Sequence, residues 1–241
     1  MIAVGSRKPQ YYKNILMKAD PALHAQVAES VNELARKGVK ILDFGAGEGA
    51  LSLRLSDMGH DVTAVDVNAD SFRPRDITFI KLDFNNQTDV DAFVSRYQGC
   101  FDIVLGVEVI EHLENPWEYI RTLKKMVKPM GHMIITTPNV SSWLSRMKFL
   151  ATGRFHSFAD SDVCSSGHIT PVHEAQIKLI FASEKITLIS LRAGGTLPFI
   201  WVTRSMKINL LNILSLFLRP MMRGMYNGYC VIAVGQKHAN G

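Results

Sequence analysis

The sequence contains little cysteine. Its three cysteines, Cys100, Cys164 and Cys230, are widely spaced and form no CxxC pair. This pattern argues against a disulfide framework or a cysteine zinc site, and it favours a reducing compartment. The first residues, 1–8, lack a long apolar stretch, so we expect no secretory signal. The expected location is the cytoplasm, with or without peripheral contact at the inner face of the membrane.

The sequence also lacks internal repeats, low-complexity tracts and an apolar run long enough to span a bilayer. The markedly apolar segment 208–218 has about eleven residues and is flanked by Lys207 and Arg219, whereas a transmembrane helix needs ~20 apolar residues. This segment could cover a pocket, pair with a second subunit in a homodimer, or lie in a membrane interface.

Negative charge is scarce in the second part of the chain. Residues 1–138 hold 16 Lys and Arg against 18 Asp and Glu, and residues 139–241 hold 11 against 4. The excess positive charge could be a plain solvated surface. It could also attract an anionic partner such as a phosphate, a lipid headgroup or RNA.

Alternating strands and helices predict a parallel sheet covered by helices on both faces. The length of 241 residues suggests a single domain over 1–241. A first helix is predicted to begin at a cap, Asp20, and to end near Gly38. Strands are predicted at 39–44, 61–66, 77–82, 101–106, 132–136, 186–191 and 229–234, and further helices at 51–58, 89–97, 117–127 and 172–183.

A glycine-rich turn follows the first predicted strand of the sheet. Gly45, Gly47 and Gly49 form GxGxG, which differs from the GxGxxG of dinucleotide-binding folds. Such a turn can be merely structural, or it can let a ligand lie against bare backbone. Asp43, just before it, suits a cationic ligand better than the phosphates of a dinucleotide.

Acidic residues follow the next two strands. Asp66 ends the second predicted strand, and a carboxylate there can accept hydrogen bonds from both hydroxyls of a ribose. Such a carboxylate also occurs in nicotinamide enzymes. Asp83 and Phe84, after the third strand, offer a polar group and a ring for an adenine.

These motifs, together with the segment 107–113 (Val-Glu-Val-Ile-Glu-His-Leu) after the fourth strand, resemble the class I S-adenosylmethionine-dependent methyltransferase family. The resemblance covers residues 20–191 and the last strand. It implies a Rossmann-like α/β fold, a seven-stranded sheet of order 3-2-1-4-5-7-6 and an antiparallel seventh strand. The residues it assigns to the donor, S-adenosylmethionine, are Asp43, Gly45, Ala46, Gly47, Gly49, Asp66, Val67, Asp83, Phe84, Glu108 and Val109.

Glu108, Glu111 and His112 are spaced to share one face of a helical turn. They could bind a divalent metal, or His112 could be a general base. Alternatively, Glu108 lines the donor pocket, Glu111 is solvated and His112 packs under the loop. The segment is similar to the Mg²⁺ site of ubiquinone-biosynthesis O-methyltransferases and of small-RNA 2′-O-methyltransferases. In the RNA enzymes a later histidine is added, for which His168 or His173 could serve. His112 and His168 are the candidate bases.

Two long stretches between the predicted elements, 139–171 and 193–228, are expected to be inserts that cover the acceptor site. Within the first, the segment 143–154 could be a basic, aromatic cap or a plain amphipathic helix.

The leading interpretation is an O-methyltransferase acting on a small-molecule, saccharide or lipid-linked acceptor, which could be anionic. A metal-dependent RNA 2′-O-methyltransferase is the alternative, which the lack of a separate RNA-binding module in this sequence disfavours. A nicotinamide-dependent oxidoreductase and a non-catalytic binding protein are the other classes considered.

Overall fold

The computed structural model describes residues 2–4, 9–202 and 204–239. The strands are β1 (Ile2–Val4), β2 (Gln10–Tyr12), β3 (Ile15–Met17), β4 (Lys40–Phe44), β5 (Asp61–Asp66), β6 (Thr78–Lys81), β7 (Phe101–Val107), β8 (Val127–Pro138), β9 (Ile186–Gly194), β10 (Ile200–Val202) and β11 (Cys230–Lys237). The α-helices are α1 (Pro21–Leu34), α2 (Ala50–Asp57), α3 (Gln87–Tyr97), α4 (Pro116–Met126), α5 (Trp143–Thr152), α6 (Asp160–Ser166), α7 (Glu174–Ser183) and α8 (Met206–Leu218). Short 3₁₀ turns lie at Ala69–Ser71, Ile110–His112 and Arg219–Met221.

The central sheet has seven strands in the order β6-β5-β4-β7-β8-β11-β9. The first five in this order are parallel, and β11 runs antiparallel to both of its neighbours. When the sheet strands are numbered along the chain, this order is 3-2-1-4-5-7-6. The predicted fold class, strand order and antiparallel seventh strand are therefore confirmed.

The strands are buried on both sides, as expected for a parallel sheet between two helical layers. Successive residues of β4 point to opposite faces, and Ile41 and Leu42 are both fully buried. Leu42 packs in the core beneath α3, α4 and α7. Ile41 packs in the core beneath α1 and α2. The ends of these strands are consequently held rigidly at one edge of the sheet, where the loops that follow them meet.

Two predicted boundaries differ most from those of the structure. Asp20 caps α1 as predicted, accepting a hydrogen bond of 3.0 Å from the Ala22 N–H, but the helix ends at Leu34 rather than near Gly38. Strand β8 begins at Val127, five residues before the predicted start, and runs through Pro129 and Gly131. Its pairing with β7 shifts register there, so these residues disturb the ladder without ending the strand.

The two predicted inserts contain helices and a strand that lie outside the central sheet and its two helical layers. Residues 139–171 include α5 and α6, and residues 193–228 include β10 and α8. A small apolar cluster joins α5 to the second insert, with Trp143 and Met147 against Leu218 and Met222. Among the described residues, no helix is long and apolar enough to cross a membrane.

Candidate active site

The glycine-rich loop is tied to the neighbouring strand by its own backbone. The N–H groups of Gly45 and Ala46 donate to the Val65 carbonyl at 2.8 and 3.0 Å. Gly45 has φ +87°, and a Cβ at this position would overlap the Val109 side chain. Position 45 therefore requires glycine on two counts, backbone conformation and close packing. Val109, which was predicted to contact the donor, packs against the loop.

The backbone at Gly47 forms the open side of this loop. Gly47 has φ +56°, and an added Cβ would meet no heavy atom within 4 Å among the described residues. Gly49 differs, because a Cβ there would overlap Phe72 and Pro74. Among these three glycines, Gly47 is therefore the one with open space at its Cβ position, and donor binding by the loop stays a prediction.

Asp43 is a buried carboxyl beneath the loop. The Ser52 hydroxyl donates to its Oδ2 at 2.6 Å. Burial, and secondarily the charge of Asp66, raise the pKa of Asp43 to about 6, although the Ser52 hydrogen bond opposes this. A cationic group bound nearby would offset the cost of burying the carboxylate. The site therefore fits the amino acid end of S-adenosylmethionine, whose α-ammonium group is positively charged.

Asp66 holds the loop as well as facing it. Its Oδ2 accepts from the Gly47 N–H at 2.8 Å, and its Oδ1 accepts from the Asn68 N–H at 3.0 Å. A carboxylate oxygen can accept two hydrogen bonds, so each oxygen keeps capacity for a ribose hydroxyl. The adjacent Val67 is 53% exposed. Donor binding by this pair stays a prediction that the geometry allows.

Asp83 and Phe84 differ in how much of each side chain is available to a ligand. The Asp83 Oδ1 accepts from the Asn85 N–H at 2.9 Å, which folds the loop after β6 into a turn. The Phe84 ring lies 3.8 Å from that of Phe44, centroid to centroid, and also packs near Tyr119. The ring is therefore part of the edge of the core, and only its remaining partly exposed side is available to an adenine.

Glu108 does not join Glu111 and His112 on one face, contrary to the spacing argument. It has φ +55°, a left-handed conformation that strains a residue with a side chain. Its carboxyl oxygens accept from the Thr136 hydroxyl at 3.0 Å and from the Cys230 thiol at 3.4 Å. Burial raises the pKa of Glu108 to about 7. The left-handed backbone directs this side chain toward β8 and β11, the strands that carry Thr136 and Cys230.

Glu111 is fully buried, so the expectation that it is solvated was wrong. Neither of its carboxyl oxygens has a hydrogen-bond partner of good geometry among the described residues. Burial, followed by the charge of Glu108, raises the pKa of Glu111 well above its usual range. An unsatisfied buried carboxyl costs about 1–3 kcal/mol, or more if charged. Such a group is typical of a site that completes its contacts with a ligand.

The later histidine beside His112 is His168. The N–H groups of Ile169 and Thr170 both donate to the Glu111 carbonyl at 3.0 Å, which docks this segment on the Ile110–His112 turn. The two imidazole rings are 4.8 Å apart, edge to face. Glu111, His112 and His168 form a group whose ligating atoms all lie within 4.8 Å of one another. His173 caps α7 instead, accepting from the Ala175 N–H.

Both histidines are oriented by backbone carbonyls. The Nδ1 of His112 lies 3.2 Å from the Gly167 carbonyl, and that of His168 lies 2.9 Å from the Ser157 carbonyl. When each Nδ1 donates, each Nε2 is left as an acceptor. Partial burial of the ring, and then His168, lower the pKa of His112 below its usual 6.5. His112 is therefore neutral at pH 7, and it is exposed rather than packed under the loop.

Tyr119 is a buried residue that was not among the predicted site residues. Its hydroxyl is buried and has no hydrogen-bond partner among the described residues. Burial, followed by the charges of Glu111 and Asp43, raises its pKa well above the usual range. A Cβ on Gly106 would overlap this hydroxyl. A glycine inside a buried strand was the available signal, because it indicates the close approach of another group.

The comparisons with known proteins agree with this architecture. The family model described as "Methyltransferase domain" matches residues 20–186, which is more than half of the chain. A ubiquinone biosynthesis O-methyltransferase of Pectobacterium atrosepticum is 26% identical over an aligned length of 160 residues, and the match covers 56% of this chain and 66% of that relative. Comparison with that relative thus leaves about a third of its length unmatched.

Solved structures show the same fold at low identity. A SAM dependent methyltransferase from Archaeoglobus fulgidus superposes with a TM-score of 0.61 at 17% identity, covering 89% of this chain and 92% of that one. The [4+2]-cyclase SpnF superposes with a TM-score of 0.54 at 12% identity, covering 88% of this chain and 80% of that one. The fold alone therefore does not specify methyl transfer, since a cyclase shares it.

Proposed function

This chain belongs to the class I S-adenosylmethionine-dependent methyltransferase family, and on that premise we propose that it methylates a hydroxyl oxygen of a small-molecule, saccharide or lipid-linked acceptor. The observation that carries the proposal is the group formed by Glu111, His112 and His168 at the end of the sheet that holds the glycine loop. An oxygen acceptor needs help with its proton, and this group offers it.

On the donor side, the open Gly47 backbone and the buried Asp43 fit the amino acid end of S-adenosylmethionine. Asp66 retains acceptor capacity for the ribose hydroxyls. S-adenosylmethionine supplies an activated methyl group, so the protein mainly has to orient the reactants and accept a proton.

On the acceptor side, His112 and His168 each present an Nε2 that can accept a proton from the acceptor hydroxyl. We assign the general base to His112, whose lowered pKa leaves it mostly unprotonated at pH 7. Glu111 is buried beside His112. When Glu111 is ionised, its carboxylate stabilises the positive charge that develops on the imidazole.

Mg²⁺, which the family resemblance implies, fits this group only in part. Mg²⁺ prefers oxygen ligands, while the group offers one carboxylate and two imidazoles. Imidazole nitrogens suit Zn²⁺ or another transition metal better. The feature that favours a cation here is that the buried Glu111 oxygens have no hydrogen-bond partner of good geometry among the described residues. If one binds, these three residues hold it, and it would lower the pKa of a coordinated acceptor hydroxyl.

A metal-dependent RNA 2′-O-methyltransferase is the second candidate, and the same three residues favour it. The match to a methyltransferase family disfavours the hypothesis of a nicotinamide-dependent oxidoreductase. We expect discrimination between the two methyltransferase candidates to come from the acceptor, since both would use the same donor loop.

The experiment is a transfer assay with S-adenosylmethionine whose methyl group carries deuterium. The protein is offered lipid extract, polar metabolites and short RNA in separate reactions, and each product is fragmented by mass spectrometry. We expect label on an oxygen in a lipid or small-molecule fraction. Label only on RNA 2′-oxygens would support the second candidate. Label on nitrogen or carbon would contradict both.

A further inference from the structure

Helix α8 has an apolar outer face. Along one stripe, which continues into the 3₁₀ turn after the helix, residues three or four positions apart are exposed to solvent. The most exposed side chains, Met206 and Met221, are 86% and 79% accessible. The exposed apolar residues of this stripe are Met206, Leu210, Ile213, Leu214, Phe217 and Met221. A surface helix of an ordinary globular protein shows the opposite pattern.

The inner face of α8 is correspondingly polar. Asn212 and Ser215 are its buried residues. Beyond the helix end, the Arg219 guanidinium stacks on the Trp143 ring at 3.8 Å and donates to the Ser215 hydroxyl at 3.2 Å and to the Phe199 carbonyl at 2.7 Å. These contacts fix the rotation of α8 about its axis. The apolar stripe is therefore presented outward by specific interactions.

Positive charge accompanies the stripe. Arg204 and Lys207 at its start and Arg223 beyond its end are exposed. From position 185 to position 241 the sequence contains seven Lys and Arg and no Asp or Glu. A second copy docked face to face would bring these cations together without an acid to pair with them. The charge pattern favours an anionic, apolar partner surface instead.

We propose that α8 lies in the interface of an anionic membrane, with its apolar stripe among the acyl chains and its flanking cations at the headgroups. A helix of 13 residues is ~20 Å long, too short for a hydrocarbon core of ~30 Å, so it lies on the bilayer rather than across it. Apolar area and headgroup attraction together provide the binding. The proposal does not depend on the proposed reaction.

The test is co-sedimentation of the full chain with vesicles. One set contains phosphatidylcholine alone, and the other also contains phosphatidylglycerol. We expect binding to the second set that weakens with added salt. Leu210→Ser and Phe217→Ser should each lower the partition coefficient about tenfold, and Arg204→Gln with Lys207→Gln should do so by a similar factor.

The matched control is Leu179→Ser, which changes a side chain that is 60% exposed on α7 and should leave vesicle binding unchanged. Thermal unfolding of each variant checks that the fold is intact. The proposal is overturned if the wild-type chain does not bind anionic vesicles, or if the α8 variants bind them as the wild type does. It is also overturned if the wild type is a dimer in solution that Phe217→Ser converts to a monomer.

Discussion

Asp43→Asn should stabilise the ligand-free protein at pH 7 while weakening its donor affinity. Burial holds the pKa of Asp43 at about 6 against an ordinary 3.8. At pH 7 the charged carboxylate therefore costs the folded state up to about 3 kcal/mol, a cost the amide avoids. Because the new amide N–H also has to be satisfied, we expect a smaller net gain of about 1–2 kcal/mol.

The pH dependence separates this cause from a packing effect. Between pH 4 and about 6 the folded wild type binds a proton at Asp43 that the unfolded chain has released. The contribution of this group to stability therefore falls as pH rises through that window, and it is level outside it. The stability of Asp43→Asn should lack this fall, which denaturant titrations at several pH values would measure.

Donor affinity should change in the opposite direction. Loss of a buried charge facing a cationic ligand should weaken binding of S-adenosylhomocysteine by roughly 10–100-fold, as measured by calorimetry. Asp102→Asn is the control, since Asp102 pairs with Lys128 at 2.6 Å, away from the loop, and should leave affinity unchanged. A variant of Asp43 that kept full affinity would remove this residue from the donor site.

His112→Ala should lower kcat by roughly 10²–10⁴-fold with an identified acceptor, because it removes the imidazole assigned as the general base. Glu111→Gln, which keeps the shape of the side chain, should show a loss of the same direction. His173→Ala is the matched control, since His173 caps α7 and should affect stability more than rate.

The rate should also depend on pH in one direction. Partial burial and His168 lower the pKa of His112 below 6.5, so the base is neutral at pH 7 and is lost only on acidification. We expect kcat/KM to be level near neutrality and to fall below that lowered pKa. An unchanged kcat in His112→Ala, or a rate independent of acid pH, would contradict the assignment of a histidine base.

The sheet could be predicted because its strands are locally consistent. The runs 39–44 and 101–106 are apolar, bounded by turn residues and buried on both faces, so pattern and environment agree. The start of strand β8 was predicted too late because Pro129 and Gly131 are local strand breakers. The pairing that continues the strand through them is with β7, which is distant in sequence.

The site was predicted less completely because its assembly depends on distant contacts. The glycine loop and the acids after the strands are local motifs, and they lie where the resemblance placed them. The approach of His168 depends on hydrogen bonds to the Glu111 carbonyl across more than fifty residues. Glu108 points away from Glu111 and His112 because its backbone is left-handed, which residue spacing does not reveal. The polar inner face of α8 likewise depends on partners such as Arg219.

The most direct test of the central claim is thermal unfolding with S-adenosylhomocysteine and, separately, with NAD. A ligand that binds only the folded state stabilises it by RT ln(1 + [L]/Kd), about 2.7 kcal/mol at a hundredfold excess over Kd. Gly38→Ala and Gly47→Ala make a matched pair, since both positions have positive φ and room for a Cβ. We expect S-adenosylhomocysteine, but not NAD, to stabilise the wild type and Gly38→Ala and to have little effect on Gly47→Ala. Stabilisation by NAD alone, or an equal response from both variants, would contradict a donor site on this loop.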